Sequence, residues 1–471
     1  MTPVVTPSEM RAIDAEADEP FEVLIERAAW VLARAAIELL GSPYGKRVAV
    51  LAGPGNNGED ARRAIRHLEQ RGARCHLFPF PFPAETADGR PAGVSRHRFD
   101  LIIDGCVGTG LGRPFDRSAL PIEIHDSPVL AVDIPSGVDG LTGAIRGEPI
   151  PATATLTFAA PKPGLLLAPG RALVGDVTVA DIGLDCSRAT IAHLGAGDVA
   201  KRWPRRDVDD HKWRNAVLVV GGSPGMTGAP RLSASGALRA GAGYVTLAIP
   251  GTDQTSLPSE PIEAVAVPTP TAWGEVALDR LDRYGAAVVG PGLVTSAGQL
   301  GAFLSRATTP VVLDAGAIPA LAGLVREANG AAIAPSVDAV VTPHEGEFSA
   351  LVDALGDAGP GPDAMAEDRI AAVRAVAAAI GAVVLLKGPT TVVADPEGAV
   401  LLSTAGDQRL ATAGTGDVLA GVIAAGLAGG LDPLSAAGLG AELHALGGST
   451  GVPDGLTASD LPLLIAAVLS R

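Results

Sequence analysis

The chain has 471 residues, room for about three domains at roughly 150 residues each, or for two large ones. With 47% hydrophobic and 19% charged residues it is not a disordered chain, and its 59 glycines and 38 prolines follow no collagen period. A formal charge of −16 excludes nucleic acid or an anionic membrane as the main partner, yet leaves a small anion free to be held by backbone N–H groups.

In chain order, residues 8–40 place Met10, Ile13, Leu24, Ile25, Ala28, Val31 and Leu32 at helical spacing, with Ser8 as the expected cap. Arg47–Ala52 reads as a buried strand running into a Gly-rich turn, and 60–71 as a helix. Leu101–Asp104 and Val129–Asp133 are further strands, each ending on an acidic residue. The densely charged stretch 198–214 is the expected inter-domain connector. Beyond it come a strand at Val217–Gly222, a small-residue helix at 229–240, and strands at 244–249, 286–289, 311–314, 338–341, 383–386 and 391–394. Strands alternating with helices predict parallel sheets, whose ligand sites lie at the strand C-termini. Two α/β domains, 1–197 and 198–471, account for the chain. The longest charge-free apolar stretches, such as Val418–Leu431, run about 14 residues, short of the roughly 20 that a membrane span needs. No secretory leader pattern opens the sequence, and Cys75, Cys106 and Cys186 lack metal spacing, which predicts a cytoplasmic chain.

The segment Ala411-Thr-Ala-Gly-Thr-Gly-Asp417 is the most informative. Gly414 and Gly416 let backbone N–H groups converge at the start of a helix, a site for a phosphoryl oxygen or a developing anion. Asp417 is out of place beside a phosphate unless it serves as general base for an attacking hydroxyl; a plain helix cap is the alternative. Lys387 is the only lysine beyond Lys212 and ends an apolar strand beside glycine, which suits a phosphate. His344 ends another strand and fits substrate or Mg²⁺-proximal contacts better than a zinc site. With Val217–Ala229, Arg239–Gly243, Gly290–Gly292, Val312–Ala315, Thr342–Glu347 and Lys387–Thr391, this segment resembles the ADP-dependent NAD(P)H-hydrate dehydratases over most of 210–471. The resemblance implies a ribokinase-like three-layer sandwich. ADP or ATP would phosphorylate the hydroxyl of the hydrated nicotinamide ring, and loss of phosphate would restore NAD(P)H, leaving AMP when ADP is the donor. Asp417 would be the base, and Gly414, Thr415 and Gly416 the anion hole. Lys387, Gly388 and Thr391 would bind the nucleotide, and Gly292 and His344 the hydrate. One departure is His211-Lys-Trp-Arg, where the family usually has glycine after the lysine.

Three Gly-rich loops follow strands in the amino-terminal half: Gly53–Asp60, Asp104–Pro114 and Val132–Gly140. Their oxygens and permissive glycines suit phosphate or a hard cation. With Thr157–Leu165 and Val179–Leu184 they resemble the NAD(P)H-hydrate epimerase domain over about 8–190. The resemblance implies a Rossmann-like three-layer sandwich that interconverts the R and S hydrates. Asn57, Asp104 and Ser136 would bind K⁺. Asn56, Asn57, Gly58, Asp60, Gly108, Thr109, Gly110 and Arg113 would hold the hydrate, with Asp133 the proton-transfer group. Homo-oligomers are also implied. Here Glu59 and Ala61 stand where the family has glycine, adding bulk and charge beside an expected pyrophosphate. The alternative is a ribokinase-like small-molecule kinase, since the Gly414-Thr-Gly-Asp417 loop also serves stable phosphoryl transfer, with a non-catalytic amino-terminal binding or dimerisation module, which Glu59 and Ala61 permit.

Overall fold

Runs of Val, Ile, Leu and Ala too short for helices become strands, and the longer small-residue stretches between them become helices. The computed structural model describes residues 1–82, 98–124, 126–253, 255, 257–274, 281–328 and 337–470. It forms two units, Thr2–Thr190 and Ile191–Arg471. The first contains β1 (Thr2–Val4), α1 (Pro7–Glu16), α2 (Phe21–Leu40), β2 (Arg47–Ala52), α3 (Asn56–Glu69), β3 (Arg74–Pro79) and β4 (Leu101–Gly105). It continues with β5 (Val129–Val132), β6 (Ala154–Phe158), α4 (Pro163–Leu166) and β7 (Asp176–Ala180). Its parallel sheet has the order β3-β2-β4-β5-β6-β7. The period-2 pattern of β2 explains its two cores. Val48, Val50 and Ala52 join Leu32 and Ala36 of α2 and Ala64 and Leu68 of α3. Ala49 and Leu51 point to the opposite face, with Phe99, Phe115 and Ile150.

The second unit comprises β8 (Ile191–His193), α5 (Ala196–Arg202), β9 (Ala216–Val220), α6 (Gly228–Ala240), β10 (Tyr244–Pro250), β11 (Ala264–Thr269), β12 (Ala286–Val289) and α7 (Ala297–Leu304). There follow β13 (Val311–Leu313), α8 (Ala317–Glu327), β14 (Ala339–Val341), α9 (Glu345–Leu355), α10 (Ala364–Glu367), α11 (Arg369–Ile380) and β15 (Val383–Leu386). The last elements are β16 (Thr391–Ala394), β17 (Val400–Ser403), α12 (Thr415–Ala428), α13 (Pro433–Ser449) and α14 (Leu461–Leu469). Its strands run β8-β17-β16-β15-β14-β13-β12-β9-β10-β11, parallel except for the β15–β16 and β16–β17 pairs. Val217, Val219, Val288, Val312, Val340 and Leu385 pack beneath Val422 and Ile423 of α12 and Leu439 of α13. Each such fully buried side chain contributes about 1.5–3 kcal/mol.

In both sheets the direction of chain progression reverses, between β2 and β4 and between β9 and β12. Open α/β sheets hold ligands at the C-terminal side of such points. Two expectations need correction. Thr6, not Ser8, caps α1: its Oγ1 accepts from Glu9 N at 3.1 Å and Glu9 Oε2 accepts from Thr6 N at 2.7 Å. Pro7 takes the first helical position, where its missing N–H costs nothing. The second unit also begins before the charged stretch 198–214, because β8 pairs in parallel with β17 and α5 already covers its first residues.

Candidate active sites

In the second unit, Gly414 at φ 91° turns the chain into α12. A Cβ there would meet Leu232 Cδ1 at 2.6 Å. The first turn of a helix leaves N–H groups without intrahelical acceptors; at α12 Gly416 opens a positive helix end, while the Thr415 N–H donates to the Thr412 carbonyl at 3.3 Å. Asp417 lies in that turn. Burial, with Asp314 adding repulsion and Lys387 opposing, pushes its carboxyl up to about 6. Lys387 Nζ stands 3.4 Å from where a Gly416 Cβ would be, donates to Asp314 Oδ1 at 3.1 Å, and lies 4.0 Å from Glu347 Oε2. Thr342 Oγ1 also donates to Asp314 Oδ1, at 2.8 Å. The ends of β13, β14 and β15 thus bring Asp314, Thr342 and Lys387 to one point opposite α12.

The backbone around this point is fixed tightly. Arg369 donates to the Lys387 carbonyl at 3.0 Å and to Glu345 Oε1 at 2.7 Å. A Cβ on Gly388 would sit 2.5 Å from the Arg369 guanidinium, so only glycine fits without displacing it. Gly292 has φ 63° and its carbonyl accepts from Ser223 Oγ at 2.9 Å, joining the loops after β9 and β12. His344 is exposed, and its Nδ1 accepts from Gly346 N at 3.0 Å and Glu347 N at 3.2 Å. It caps α9, and its Nε2 lies 3.6 Å from Glu347 Oε2. Thr391 pairs in register with Ser403, its place set by the strand rather than by the Asp417 cluster. Sequence reasoning missed Asp314, within Val312–Ala315, and His444. His444 is buried, which pushes its imidazole down to about 4, and its Nε2 bonds the Thr415 carbonyl at 2.9 Å. A neutral ring donating from Nε2 ties α13 to the first turn of α12.

In the first unit the loops after β2, β4 and β5 surround a cavity of about 490 Å³. Asn56, Asn57, Gly58, Asp60, Gly108, Thr109, Gly110, Arg113 and Asp133 all line it. Asp133 has φ 67°, a left-handed conformation that costs a non-glycine residue energy and is often kept at functional sites. Its Oδ1 accepts from Lys162 Nζ, from Thr157 Oγ1 at 2.9 Å and from Phe158 N at 3.3 Å. Lys162 is fully buried and also donates to the Phe158 carbonyl at 3.1 Å. Burial raises the carboxyl of Asp14, with Lys162 opposing and Asp133 adding. Lys162 and Asp14 line the cavity and were missed, since only the tertiary fold brings them to Asp133.

Asp104 and Ser136 are not among the lining residues; they form a buried oxygen cluster beside the cavity. Ser136 donates to Asp104 from Oγ at 2.6 Å and from N at 2.8 Å, and burial raises the Asp104 carboxyl. Asn57 Nδ2 donates to the Val132 carbonyl at 2.6 Å, and a Gly108 Cβ would lie 2.9 Å from Asn57 Oδ1. The available donors are hard oxygens with one formal negative charge, the chemistry of a monovalent cation. Among the described residues no cluster of three His, Cys, Asp or Glu side chains suits a multivalent metal. Glu59 turns away from the cavity: its Oε1 accepts from Arg63 Nε at 2.7 Å, and its Oε2 lies 3.8 Å from Arg62 Nη1. Ala61 is buried in the core between α3 and the sheet.

Two family models match the chain: NAD(P)H-hydrate dehydratase over residues 217–469, and YjeF-related protein N-terminus over 21–92 and 82–164. The bifunctional NAD(P)H-hydrate repair enzyme of Moorella thermoacetica is 35% identical, over 94% of this chain and 92% of its own. That of Mycobacterium leprae is 39% identical, over 90% and 89%. Among solved structures, the ADP/ATP-dependent NAD(P)H-hydrate dehydratase from Bacillus subtilis, co-crystallised with ATP and Mg²⁺, aligns with TM-score 0.50 and 27% identity. It covers 59% of this chain and 97% of its own. A ribokinase-like superfamily protein from Enterococcus faecalis aligns with TM-score 0.51 and 22% identity, over 60% and 96%, a likeness of fold.

Proposed function

The chain belongs to the bifunctional NAD(P)H-hydrate repair enzymes, and from that premise we propose how its two sites share one task. The protein repairs hydrated nicotinamide nucleotides. The first unit interconverts the R and S hydrates, and the second dehydrates the S form to NAD(P)H with a nucleotide as phosphoryl donor.

The observation that carries the dehydratase reading is Asp417 at the head of α12, facing the Lys387–Asp314 pair. A carboxyl near 6 is mostly ionised at neutral pH yet basic enough to take a proton from the ring hydroxyl. That hydroxyl attacks the terminal phosphoryl of ADP or ATP while Lys387 and the Gly416 N–H hold the phosphate oxygens, the Thr415 N–H joining them on release from the Thr412 carbonyl. The phosphate ester then leaves as the ring nitrogen's electrons restore the double bond. With ADP as donor the products are NAD(P)H, AMP and phosphate. Gly388 and Thr391 are assigned to the nucleotide, and Gly292 and His344 to the hydrate. Asp314 and Glu347 are the carboxylates nearest Lys387, and with few such ligands Mg²⁺ would be carried largely on the nucleotide phosphates, whose charge it would offset.

In the first unit Asp133 is assigned proton transfer. The oxygens of Asn57, Asp104 and Ser136 are assigned to K⁺, which would balance the Asp104 charge and stiffen the loops. The other lining residues named above hold the hydrate. Since Glu59 is paired with Arg63 outside the cavity, its presence gives no ground for reading this unit as a non-catalytic module. No helix among the described residues is long and apolar enough to cross a membrane. A cytoplasmic, self-associating enzyme is part of the same proposal, with light scattering on the purified chain as the check on association.

The test is recovery of reduced-nicotinamide absorbance from hydrated NADH, with and without ADP. Nucleotide-dependent recovery is expected; its absence overturns the dehydratase reading. With an R/S mixture, recovery that stops at the S fraction overturns the epimerase reading.

A further inference from the structure

Among the described residues, Asp60 is the only carboxylate with a buried oxygen that lacks a hydrogen-bond partner. It is 3% exposed and lines the cavity of the first unit. The charged groups that act on it are Asp133 from the end of β5, Asp14 from α1, and, from outside the cavity, Glu59 and Arg63 of α3 itself. Lys162 is committed to Asp133; Arg11 and Arg113 also line the cavity, but no ion pair joins either to Asp60 among the described residues. An ionised carboxylate without donors is the most costly state such a group can take; a protonated one carries a hydrogen to give away. Burial, reinforced by these carboxylates and opposed by Arg63, accordingly pushes its carboxyl up to about 8. Asp133 differs: its Oδ1 already accepts from Lys162, Thr157 and Phe158, where Asp60 Oδ1 has no donor.

We propose that Asp60, in place of Asp133, is the proton donor to the hydroxyl that leaves the hydrate, while the Asp133–Lys162 pair faces the cation left behind. This rests on the epimerase reading above. Water adds to an enamine at the carbon beside nitrogen, because the nitrogen lone pair stabilises positive charge there. The epimeric carbon therefore carries both the hydroxyl and the ring nitrogen. Its C–O bond breaks, the electron pair leaves with oxygen, and that oxygen takes the Asp60 proton to depart as water. The nitrogen lone pair closes a C=N⁺ bond, leaving a planar iminium ion. Water then adds to either face, and the proton it sheds returns to the Asp60 carboxylate. Nothing is oxidised or reduced, and the acid is regenerated.

The test uses the full chain, its dehydratase site serving as an internal control. In an R/S mixture with ADP, Asp60→Asn is expected to consume the S hydrate within about twofold of wild type. Its R phase is expected to slow at least 100-fold toward the no-enzyme rate, with Asp60→Glu recovering part of it. Asparagine removes a carboxyl that is costly to ionise, so Tm is not expected to fall; a wild-type R phase in Asp60→Asn overturns the proposal. Two measurements on wild type stand independently of any variant. Without nucleotide, ¹⁸O from labelled water is expected to enter the hydroxyl in step with epimerisation; epimerisation without label means the C–O bond stays intact and overturns the proposal. The epimerase rate is expected to fall as pH rises through about 8, where Asp60 loses its proton; a rate that holds or rises there overturns it too. A wild-type chain that leaves the R hydrate untouched refutes the epimerase reading itself, a different result from any of these.

Discussion

At the residue scale, the phosphoryl-transfer site is a balance of charges around one carboxylate. Asp417 is raised to about 6 by burial, with Asp314 adding to the shift and Lys387 opposing it. A base works only when deprotonated, so dehydration is expected to lose rate as pH falls through about 6 and to be flat above it. Asp417→Ala should reduce kcat by about 10²- to 10⁴-fold, the usual worth of a positioned base, while calorimetry still detects nucleotide binding. Wild-type-like turnover would remove Asp417 from the role. Lys387→Met withdraws the one cation that favours the carboxylate, so the acid limb of the pH profile should move upward. Loss of its charged hydrogen bonds should also weaken nucleotide binding roughly 10- to 100-fold. An unmoved limb would mean that Lys387 does not act on Asp417. Glu59 is the contrasting case. Its pairs with Arg63 and Arg62 are partly exposed and screened by solvent, so they hold little stability. Glu59→Gly should therefore leave the epimerase kcat/KM within about threefold of wild type. A large gain would show that Glu59 does obstruct the hydrate.

At the scale of elements, the proposed base Asp417 is only as well placed as the crossing of α6 and α12. A Cβ on Gly421 would come within 1.9 Å of the Ser233 carbonyl oxygen, and one on Gly236 within 2.4 Å of the Val418 carbonyl oxygen. Closeness at this crossing lets Ser233 Oγ donate to the Asp417 carbonyl at 2.7 Å. Gly421→Ala must part the helices, at a cost of about 1–3 kcal/mol, and carries Asp417, one turn earlier, away from Lys387. A lower Tm with reduced dehydratase kcat and an unchanged epimerase rate is expected; an unchanged kcat would mean that α12 tolerates the shift. Such crossings explain what the sequence could and could not reveal. β2, β12, β15 and β16 were legible because a central strand buried on both faces is a plain apolar run. β3, β7 and β11 sit at sheet edges with exposed, mixed side chains and carry no such mark. Asp417, Lys387 and Asp133 stood out by their place beside strand ends and glycines. Lys162, Asp14 and His444 acquire their positions only when separate elements pack. The direction of the Glu59 side chain likewise depended on arginines of its own helix, a choice that a glycine pattern does not contain.

At the scale of the whole molecule, two α/β sheets place two sites with opposite protonation demands in one chain. The proposed dehydratase base needs its carboxyl empty, and burial pushes that carboxyl up to about 6. The proposed epimerase acid needs its carboxyl full, and that one titrates near 8. Complete repair of an R/S mixture requires both, because only the S form leaves through the dehydratase. The steady rate of complete recovery should accordingly be bell-shaped, rising through about 6 and falling through about 8. Either half assayed alone should show a single limb: initial recovery from pure S hydrate should rise through 6 and then level. Epimerisation measured without nucleotide should level below 8 and fall above it. The alkaline limb of complete repair should also depend on the amount of epimerase. Adding excess Asp417→Ala protein, which keeps the epimerase half, should flatten that limb while leaving the acid limb in place. If the excess leaves the alkaline limb unchanged, the fall at high pH arises in the dehydratase, and the two sites do not divide the pH range between them.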